Sequence, residues 1–328
     1  MILETVVEGE TAGDPMTGQK WTRRSLRQIS ACLGPLGHVV SHQTVGRLLK
    51  GLDYALHVNA KKREAGEGHP DRNAQFAHIA QQRERFTTAG LPIISVDTKK
   101  KELIGNFKNA GRSWSKEPEA VNVHDFVSEA HGRAVPYGIY DVHNNRGTVV
   151  VGQSADTPEF AVAAIGRWWN TEGMRTYPGA NDILILADAG GSNGCRPRLW
   201  KQQLQEQLCD ERGLTVTVCH YPTDCSKWNT IEHRLFGPIS VNWAGKPLRT
   251  WETLLGYLRG TTTTTGLEVS ALLDERTYET GRTISDAVMQ TLNLEHHPVC
   301  PTWNYTLRPR ITAQHEQDAP SSIRELVV

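Results

Sequence analysis

The chain has 328 residues, 38% of them hydrophobic and 22% charged, with 36 Lys and Arg balanced by 36 Asp and Glu. That length and composition describe a globular chain with a large core, built as two domains or as one with an appendage. No apolar run reaches the roughly 18 residues of a membrane span. The N-terminus, MILETVVEGETAGDP, is acidic and lacks the basic-then-apolar pattern of a secretory signal, so the chain reads as cytoplasmic, with no membrane partner.

The six cysteines include no C-x-x-C pair and read as unpaired thiols. Neither Cys219, His220 and Cys225 nor His296, His297 and Cys300 match a common zinc spacing. Zero net charge argues mildly against a nucleic-acid partner, but its distribution does not. Thr17 to Lys50 holds six Lys and Arg and no acid, and Thr98 to Lys116 holds six against Glu102 alone. Blocks of this kind can build a phosphate-binding face, and a solvated surface is the plain alternative for each.

Residues 1–58 are expected to hold a small helical region. Thr22 or Ser25 can cap a helix with Leu26, Ile29 and Leu33 on one face, which Gly34, Pro35 and Gly37 then break. Ser41 can cap a second helix, His42 to Lys50, with Val45, Leu48 and Leu49 inward and His42, Gln43, Arg47 and Lys50 outward. This is a helix-turn-helix pattern, with Arg23, Arg24 and Arg27 on or before its first helix and the second helix as the candidate reader of DNA. Residues 59–90 read as a polar connector ending in a helix through Phe76, Ile79 and Phe86.

A further domain spans 91–310. LPIISVDT (91–98) is an apolar, β-branched strand ending in an acid, and 137–145 with 147–154 form a hairpin turning at Asn144-Asn145-Arg146-Gly147. Pro158 to Trp169 has helical spacing, DILILADA (182–189) is a buried strand, and Arg198 to Arg212 is an amphipathic helix closed by Gly213. Residues 214–221 form another strand, and a helix starts near Asn229, with Trp228, Ile231 and Leu235 toward the core. This order gives an α/β domain with a mixed sheet flanked by helices. Residues 311–328 read as a C-terminal tail, and Trp114, Trp168, Trp169, Trp228 and Trp243 as core side chains.

Two acids, Asp97 and Asp188, end apolar strands, where ligands gather at an open sheet's edge. A carboxylate there is either a helix cap, a salt-bridge partner or a ligand for a hard metal ion. Glu232 lies beside the apolar face of its helix and could reach the same edge. Three carboxylates at one edge repel unless cations neutralise them, and two divalent ions serve phosphoryl transfer.

The chain resembles the DDE transposases of bacterial insertion sequences, ISAzo type. The matching stretches include SVDTKKKELIGNFKNAGRSW (95–114), LADAGGSNGCRPRLWK (186–201), TVCHYPTDCSKWNTIEHRLF (217–236), TTTTTGLEV (261–269) and WNYTLRP (303–309), in order across most of the chain. WTRRSLRQIS and VSHQTVGRLLK resemble the family's N-terminal DNA-binding region. The resemblance implies a ribonuclease H-like fold, cleavage of DNA at element ends and transfer of the 3′-hydroxyl into target DNA. It implies Asp97, Asp188 and Glu232 as the catalytic, metal-binding triad, with two Mg2+ or Mn2+ ions, and a homo-oligomer on terminal repeats and target DNA.

Lys99, Lys100, Lys101 and Lys227 are expected to touch DNA. Asn193 is a candidate substrate contact in the Gly190–Gly194 loop, which could open a helix toward a phosphate. Two departures stand out. The family carries Gly-Thr where this chain has Asp224-Cys225, and it has further helical sequence before WTRRSLRQ, so Met1 is expected to be the internal start of a truncated element. The alternative expectation is therefore a non-catalytic, DNA-binding remnant.

Overall fold

A computed structural model of the protein describes residues 25–52, 54, 69–113, 117–223, 225 and 228–310, with a few positions before residue 25. Thr22, Arg23, Arg24, Trp114, Lys116, Asp224, Lys227, the first part of the connector and the tail 311–328 lie outside the described residues. The chain divides into two compact units, Met1–Ala65 and Gly66–Val328.

In the first unit, Ser25 and Gln28 form a reciprocal capping box at the start of α1 (Leu26–Leu33). A short 3-10 turn (Gly34–Leu36) and Gly37, at φ +83°, end it. The Ser41 hydroxyl then accepts the Thr44 N–H at the start of α2 (His42–Gly51). Ile29, Leu33, Val45 and Leu49 form the core of this unit. Leu48, expected inside, is 43% exposed. Val45 and Leu49, four apart, already fill the narrow seam against α1, and Leu48 falls to its flank. Arg27, Gln43, Arg47 and Lys50 are exposed and His42 is half-buried.

The second unit is organised by a nine-stranded sheet. Its strands are β1 (Ile93–Thr98), β2 (Glu102–Ile104), β3 (Gly132–Asp141), β4 (Arg146–Gly152), β5 (Asp182–Ala187), β6 (Thr215–His220), β7 (Glu268–Asp274), β8 (Leu294–His296) and β9 (Asn304–Leu307). The order is β8-β9-β6-β5-β1-β3-β4-β7, with β2 paired to β3 off this path. β1, β5 and β6 run parallel, whereas β3 is antiparallel to β1 and β4. Five central strands in the order β4-β3-β1-β5-β6, with only β3 reversed among them, make the expected ribonuclease H-like core; β7 and the β9–β8 pair extend its two edges.

Period-two alternation decides what each face meets. Ile94, Val96, Ile183 and Ile185 face one way, into a cluster with Phe160, Trp168, Trp200 and Leu204. These come from α4 (Pro158–Trp168) and α5 (Arg198–Gln203), each continued by a π-helical segment, Trp169–Gly173 and Leu204–Asp210. On the opposite face, Ile93, Leu184 and Leu186 pack on Ile79 and Phe86 of α3 (Arg72–Thr88), so the helix ending the connector is part of this unit.

Beside α3, on the side of β3 and β4, a π-helical turn (Glu232–Phe236), α6 (Gly237–Asn242) and α7 (Trp251–Arg259) bury Ile231, Leu235, Phe236 and Leu254. Glycines allow that close approach. A Cβ built on Gly138 would lie 2.5 Å from Phe236 Cε1 and 2.9 Å from Ile231 Cδ1, and one on Gly147 would run into Leu235.

The β3–β4 turn sits two residues earlier than the sequence predicts: Asp141 pairs with Arg146, and 142–145 form the loop. The Asp141 carboxylate accepts the His143 and Asn144 N–H groups at 3.1 and 3.2 Å, and Asn145 takes φ +51°. This side-chain cap fixes the loop ahead of the Asn-Arg-Gly sequence.

Candidate active site

β1 delivers Asp97 because its apolar residues belong to both cores while Ser95 and Asp97, two apart, share the face toward the Glu232 turn. Val96 pairs with Ala187 of β5, so Asp97 and Asp188 stand on neighbouring strands one residue beyond that last pair. Glu232 opens the π-helical turn. The wider turn seats Ile231 and Leu235 in the core and leaves Glu232 half-buried.

The three acids are coupled electrostatically. Burial, first, and the charge of Asp188, next, push the Asp97 carboxyl up to about 8, with Glu232 and Asp156 adding to the rise and the 2.7 Å Thr98 N–H bond opposing it. Burial raises Asp188 to about 6, with Glu232 adding to it against a hydrogen bond from Asn229. Among the described residues, no three His, Cys, Asp or Glu side chains close around a single point to cage a metal ion. The donors fit a divalent cation in another way. All are hard carboxylate oxygens, and burial and mutual repulsion hold Asp97 and Asp188 above the usual carboxylate range, a negative charge that bound divalent cations would balance.

Behind the acids lies a buried network in which sequence reading had assigned no roles. Asn229, fully buried, donates from Nδ2 to Asp188 Oδ1 at 2.9 Å and accepts at Oδ1 from Ser95 Oγ at 2.5 Å. Ser95 Oγ in turn accepts the Ile231 N–H at 3.1 Å. One amide therefore ties β1, the end of β5 and the start of the Glu232 turn. On the other side of Asp188, its carbonyl meets His220 Nδ1 at 2.9 Å; His220 Nε2 faces Tyr305 Oη at 3.3 Å, which accepts from Trp200 Nε1 at 2.8 Å. Burial lowers His220 to about 4, so it is neutral at physiological pH. The signal in the sequence was slight: a Ser inside an apolar strand and an Asn three residues before the glutamate.

The expected DNA contacts divide. Lys99 is buried with its ammonium 4.9 Å from the Trp243 ring centre, and burial lowers its pKa against the pull of Glu102 and Glu232. Lys100 is exposed, and Lys101 pairs with Asp156 at 3.4 Å, whose carboxylate also accepts from Thr98 Oγ1. Asn193 is fully buried with neither end of its amide hydrogen-bonded. The glycine loop does not open a helix, because α5 begins only at Arg198; the Gly194 N–H bonds the Gly191 carbonyl at 3.2 Å, and the Cys195 N–H just after the loop bonds the Ala189 carbonyl at 3.2 Å. Trp168, Trp169 and Trp243 are core side chains as expected, but Trp228 is 54% exposed. It precedes the helix, in a turn where its N–H bonds the Cys225 carbonyl at 2.8 Å, so helical spacing from Ile231 does not apply to it.

Residues 2–309 match the family described as Rhodopirellula transposase DDE domain, ISAZ013 type. The chain belongs to this family of DDE transposases. It is therefore a DNA transposase, an enzyme of the DDE class, whose members work on DNA with divalent metal ions. No curated protein matches the chain in sequence.

Among solved structures, the Mos1 transposase paired-end complex with left transposon end is 12% identical, covering 78% of this chain and 68% of that one, at TM-score 0.41. The Mos1 mariner paired end complex with Mn is 12% identical, covering 72% and 65%, also at 0.41. The Mos1 strand transfer complex is 11% identical, covering 78% and 68%, at 0.41. No helix among the described residues is long and apolar enough to cross a membrane.

Proposed function

We propose that Asp97, Asp188 and Glu232 are the catalytic carboxylates and together hold two Mg2+ or Mn2+ ions. The observation that carries this is the Asp97 carboxyl held near pH 8 by burial and by the two other acids, which marks a site built for positive charge. When bound, such ions would polarise a phosphodiester and lower the pKa of the attacking hydroxyl.

The chain's own residues supply position. The Thr98 N–H occupies Asp97 Oδ1 and Asn229 occupies Asp188 Oδ1, leaving the second oxygen of each carboxylate for a ligand. The Ser95–Asn229–Ile231 network sets the spacing between the sheet edge and the Glu232 turn. Water attack at an element end breaks the bond between phosphorus and the 3′-oxygen and leaves a 3′-hydroxyl. That hydroxyl then attacks a target phosphodiester, and no protein–DNA bond forms.

Arg23, Arg24, Arg27, His42, Gln43, Arg47 and Lys50 of the N-terminal unit would read the terminal repeats, while Lys99, Lys100, Lys101, Lys227 and Asn193 would engage DNA near the acids. Asn193 would do so only after its loop moves, since it is buried. Two ends would be paired by a homo-oligomer, and the work would be done in the cytoplasm. The remnant reading is not favoured, because residues 2–309 match the DDE transposase domain and the chain carries all three acids.

The test is Mg2+- or Mn2+-dependent nicking of DNA carrying the element's own ends, with wild type against Asp188→Ala. Release of a 3′-hydroxyl by wild type, with binding but no cutting by the variant, supports the assignment. Binding without cutting by both would return the remnant.

A further inference from the structure

Asp97 stands where β1 loses one of its neighbours. On the β5 side the last pair is Val96 with Ala187. On the other side β3 follows β1 as far as the Thr98–Tyr137 pair, and the Lys99 N–H still reaches the Pro136 carbonyl at 2.9 Å. The strand that carries the carboxylate is therefore laddered on one side only at the point where the carboxylate emerges.

A fourth acid holds the strand end there. Asp156 lies between β4 and α4, with its side chain 16% exposed. It is not the cap of α4, because the Thr157 hydroxyl accepts the Phe160 N–H at the start of that helix. Asp156 Oδ1 accepts from Thr98 Oγ1 at 3.1 Å, and Oδ2 pairs with Lys101 Nζ at 3.4 Å. One carboxylate thus grips two residues on the way out of β1, and both its oxygens are engaged in doing so.

Strand alternation passes this grip to Asp97. Thr98 shares the face of Ile94 and Val96, opposite to that of Asp97, while its N–H donates to Asp97 Oδ1 at 2.7 Å. Fixing the Thr98 hydroxyl from behind the strand fixes the peptide that holds Asp97 in front of it. The charge of Asp156 opposes ionisation of Asp97, and Lys101 balances that charge, so what Asp156 gives the site is position.

We propose that Asp156 is a positioning residue that sets the Asp97 carboxylate through the hydroxyl and the peptide N–H of Thr98. The proposal rests on the assignment of Asp97, Asp188 and Glu232 as the metal-binding cleavage site.

The experiment uses the full chain and compares Thr98→Val, Thr98→Ser, Asp156→Ala, Asp156→Asn and the double variant Thr98→Val/Asp156→Ala, with Asp97→Asn as reference. Mn2+ binding is read by calorimetry without DNA, nicking in single turnovers on end-bearing DNA, and end binding in EDTA. Thr98→Val keeps the branched shape and removes only the hydroxyl. It and Asp156→Ala should each weaken Mn2+ binding and nicking by about 10-fold to 100-fold, the range for losing a group behind a metal ligand, with end binding not weakened. The double variant should fall no further than the worse single one, since both break the same link. Thr98→Ser should behave as wild type, and Asp156→Asn, whose amide oxygen still accepts the hydroxyl, should lie between wild type and Asp156→Ala.

Variants that melt earlier but bind Mn2+ as wild type does when folded would overturn the proposal. So would losses that add in the double variant, or a loss in Asp156→Ala that Thr98→Val does not share, which would mean that charge acts without position. If Asp156→Ala does not fold, Thr98→Val against Thr98→Ser decides alone. Wild-type Mn2+ binding by Asp97→Asn would instead remove the metal assignment on which the proposal stands.

Discussion

Gly138 is where packing and chemistry meet most directly, and Gly138→Ala tests the link. The added methyl would lie 2.5 and 2.8 Å from Phe236 Cε1 and Cζ and 2.9 Å from Ile231 Cδ1. Ordinary carbon contacts are about 3.5–4.0 Å, so roughly 1 Å must be found by moving the turn that carries both side chains. Neither can swing aside, since Ile231 and Phe236 are buried in a filled cluster.

Overpacking of this kind costs about 1–3 kcal/mol. Because Ile231 and Phe236 bracket Glu232, the displacement is passed to the carboxylate, and a shift near 1 Å in a reacting group can cost about 100-fold in rate. Urea unfolding and single-turnover nicking of end-bearing DNA separate the two losses. Gly138→Ala should remain folded at assay temperature, with cleavage down by about 10-fold to 100-fold and end binding little changed. Adding Phe236→Leu should recover part of the rate by giving the methyl room. Wild-type cleavage by Gly138→Ala, with a stability loss under about 0.5 kcal/mol, would refute the claim that this contact places Glu232.

Asn229→Leu keeps the branched shape, with bulkier methyl ends, but removes the amide that holds Asp188 and Ser95; bonds to charged groups are worth about 1.5–3 kcal/mol, so denaturation should show a loss of at least that order and cleavage should fall with it. Unchanged cleavage would mean that Asp188 is placed by its strand alone. Raised folded-state pKa values at Asp97 and Asp188 mean that the folded protein binds protons more tightly than the unfolded chain. Their stabilisation is therefore complete below about pH 4 and is lost as pH rises toward 6 for Asp188 and 8 for Asp97. Without metal, the melting temperature should fall between pH 6 and 8, and Asp97→Asn should flatten that fall.

His220 runs the other way. Its pKa is lowered to about 4, so its contribution is present above 6.5 and lost as pH falls toward 4, an acid limb that His220→Asn should reduce in thermal melts. Mn2+ added near pH 7 should release protons, measured by calorimetry in buffers of different ionisation enthalpy, and should do so less in Asp97→Asn. Proton release equal to wild type would remove Asp97 from the ligand set.

Strand positions and acids were legible in the sequence because both follow from local pattern: Ile93-Ile94-Ser95-Val96-Asp97 reads as a buried strand ending in charge whatever surrounds it. The helix caps at Ser25 and Ser41 are equally local, a hydroxyl three residues before the amide it receives. What escaped depends on partners far along the chain. Ser95 reads as a flaw in an apolar run until Asn229, 134 residues later, is seen against it. Gly138 reads as a weak strand residue until Phe236 arrives over it. Trp228 was placed inward by extending α-helical spacing back across Asn229, which lies outside the helix, and Leu48 by granting α2 a wider apolar seam than α1 offers.

Strand β9, between the edge strand β8 and β6, gives the C-terminal end of the chain a part in what happens at Asp188. Tyr305 on that strand closes the chain of contacts from Trp200 through His220 to the Asp188 carbonyl, and Asn304 exchanges hydrogen bonds with Gln75 at 2.8 and 2.5 Å while Gln75 also holds the His220 carbonyl at 2.7 Å. A copy of this reading frame broken anywhere between Glu232 and Trp303 would still encode all three acids. Its product would lack the strand against which β6 and α3 are set, leaving His220 and Gln75 with buried polar groups unmatched. Such a copy would be inert while its catalytic signature read as whole, so an element's capacity to move would be judged better at Asn304 and Tyr305 than at its acids.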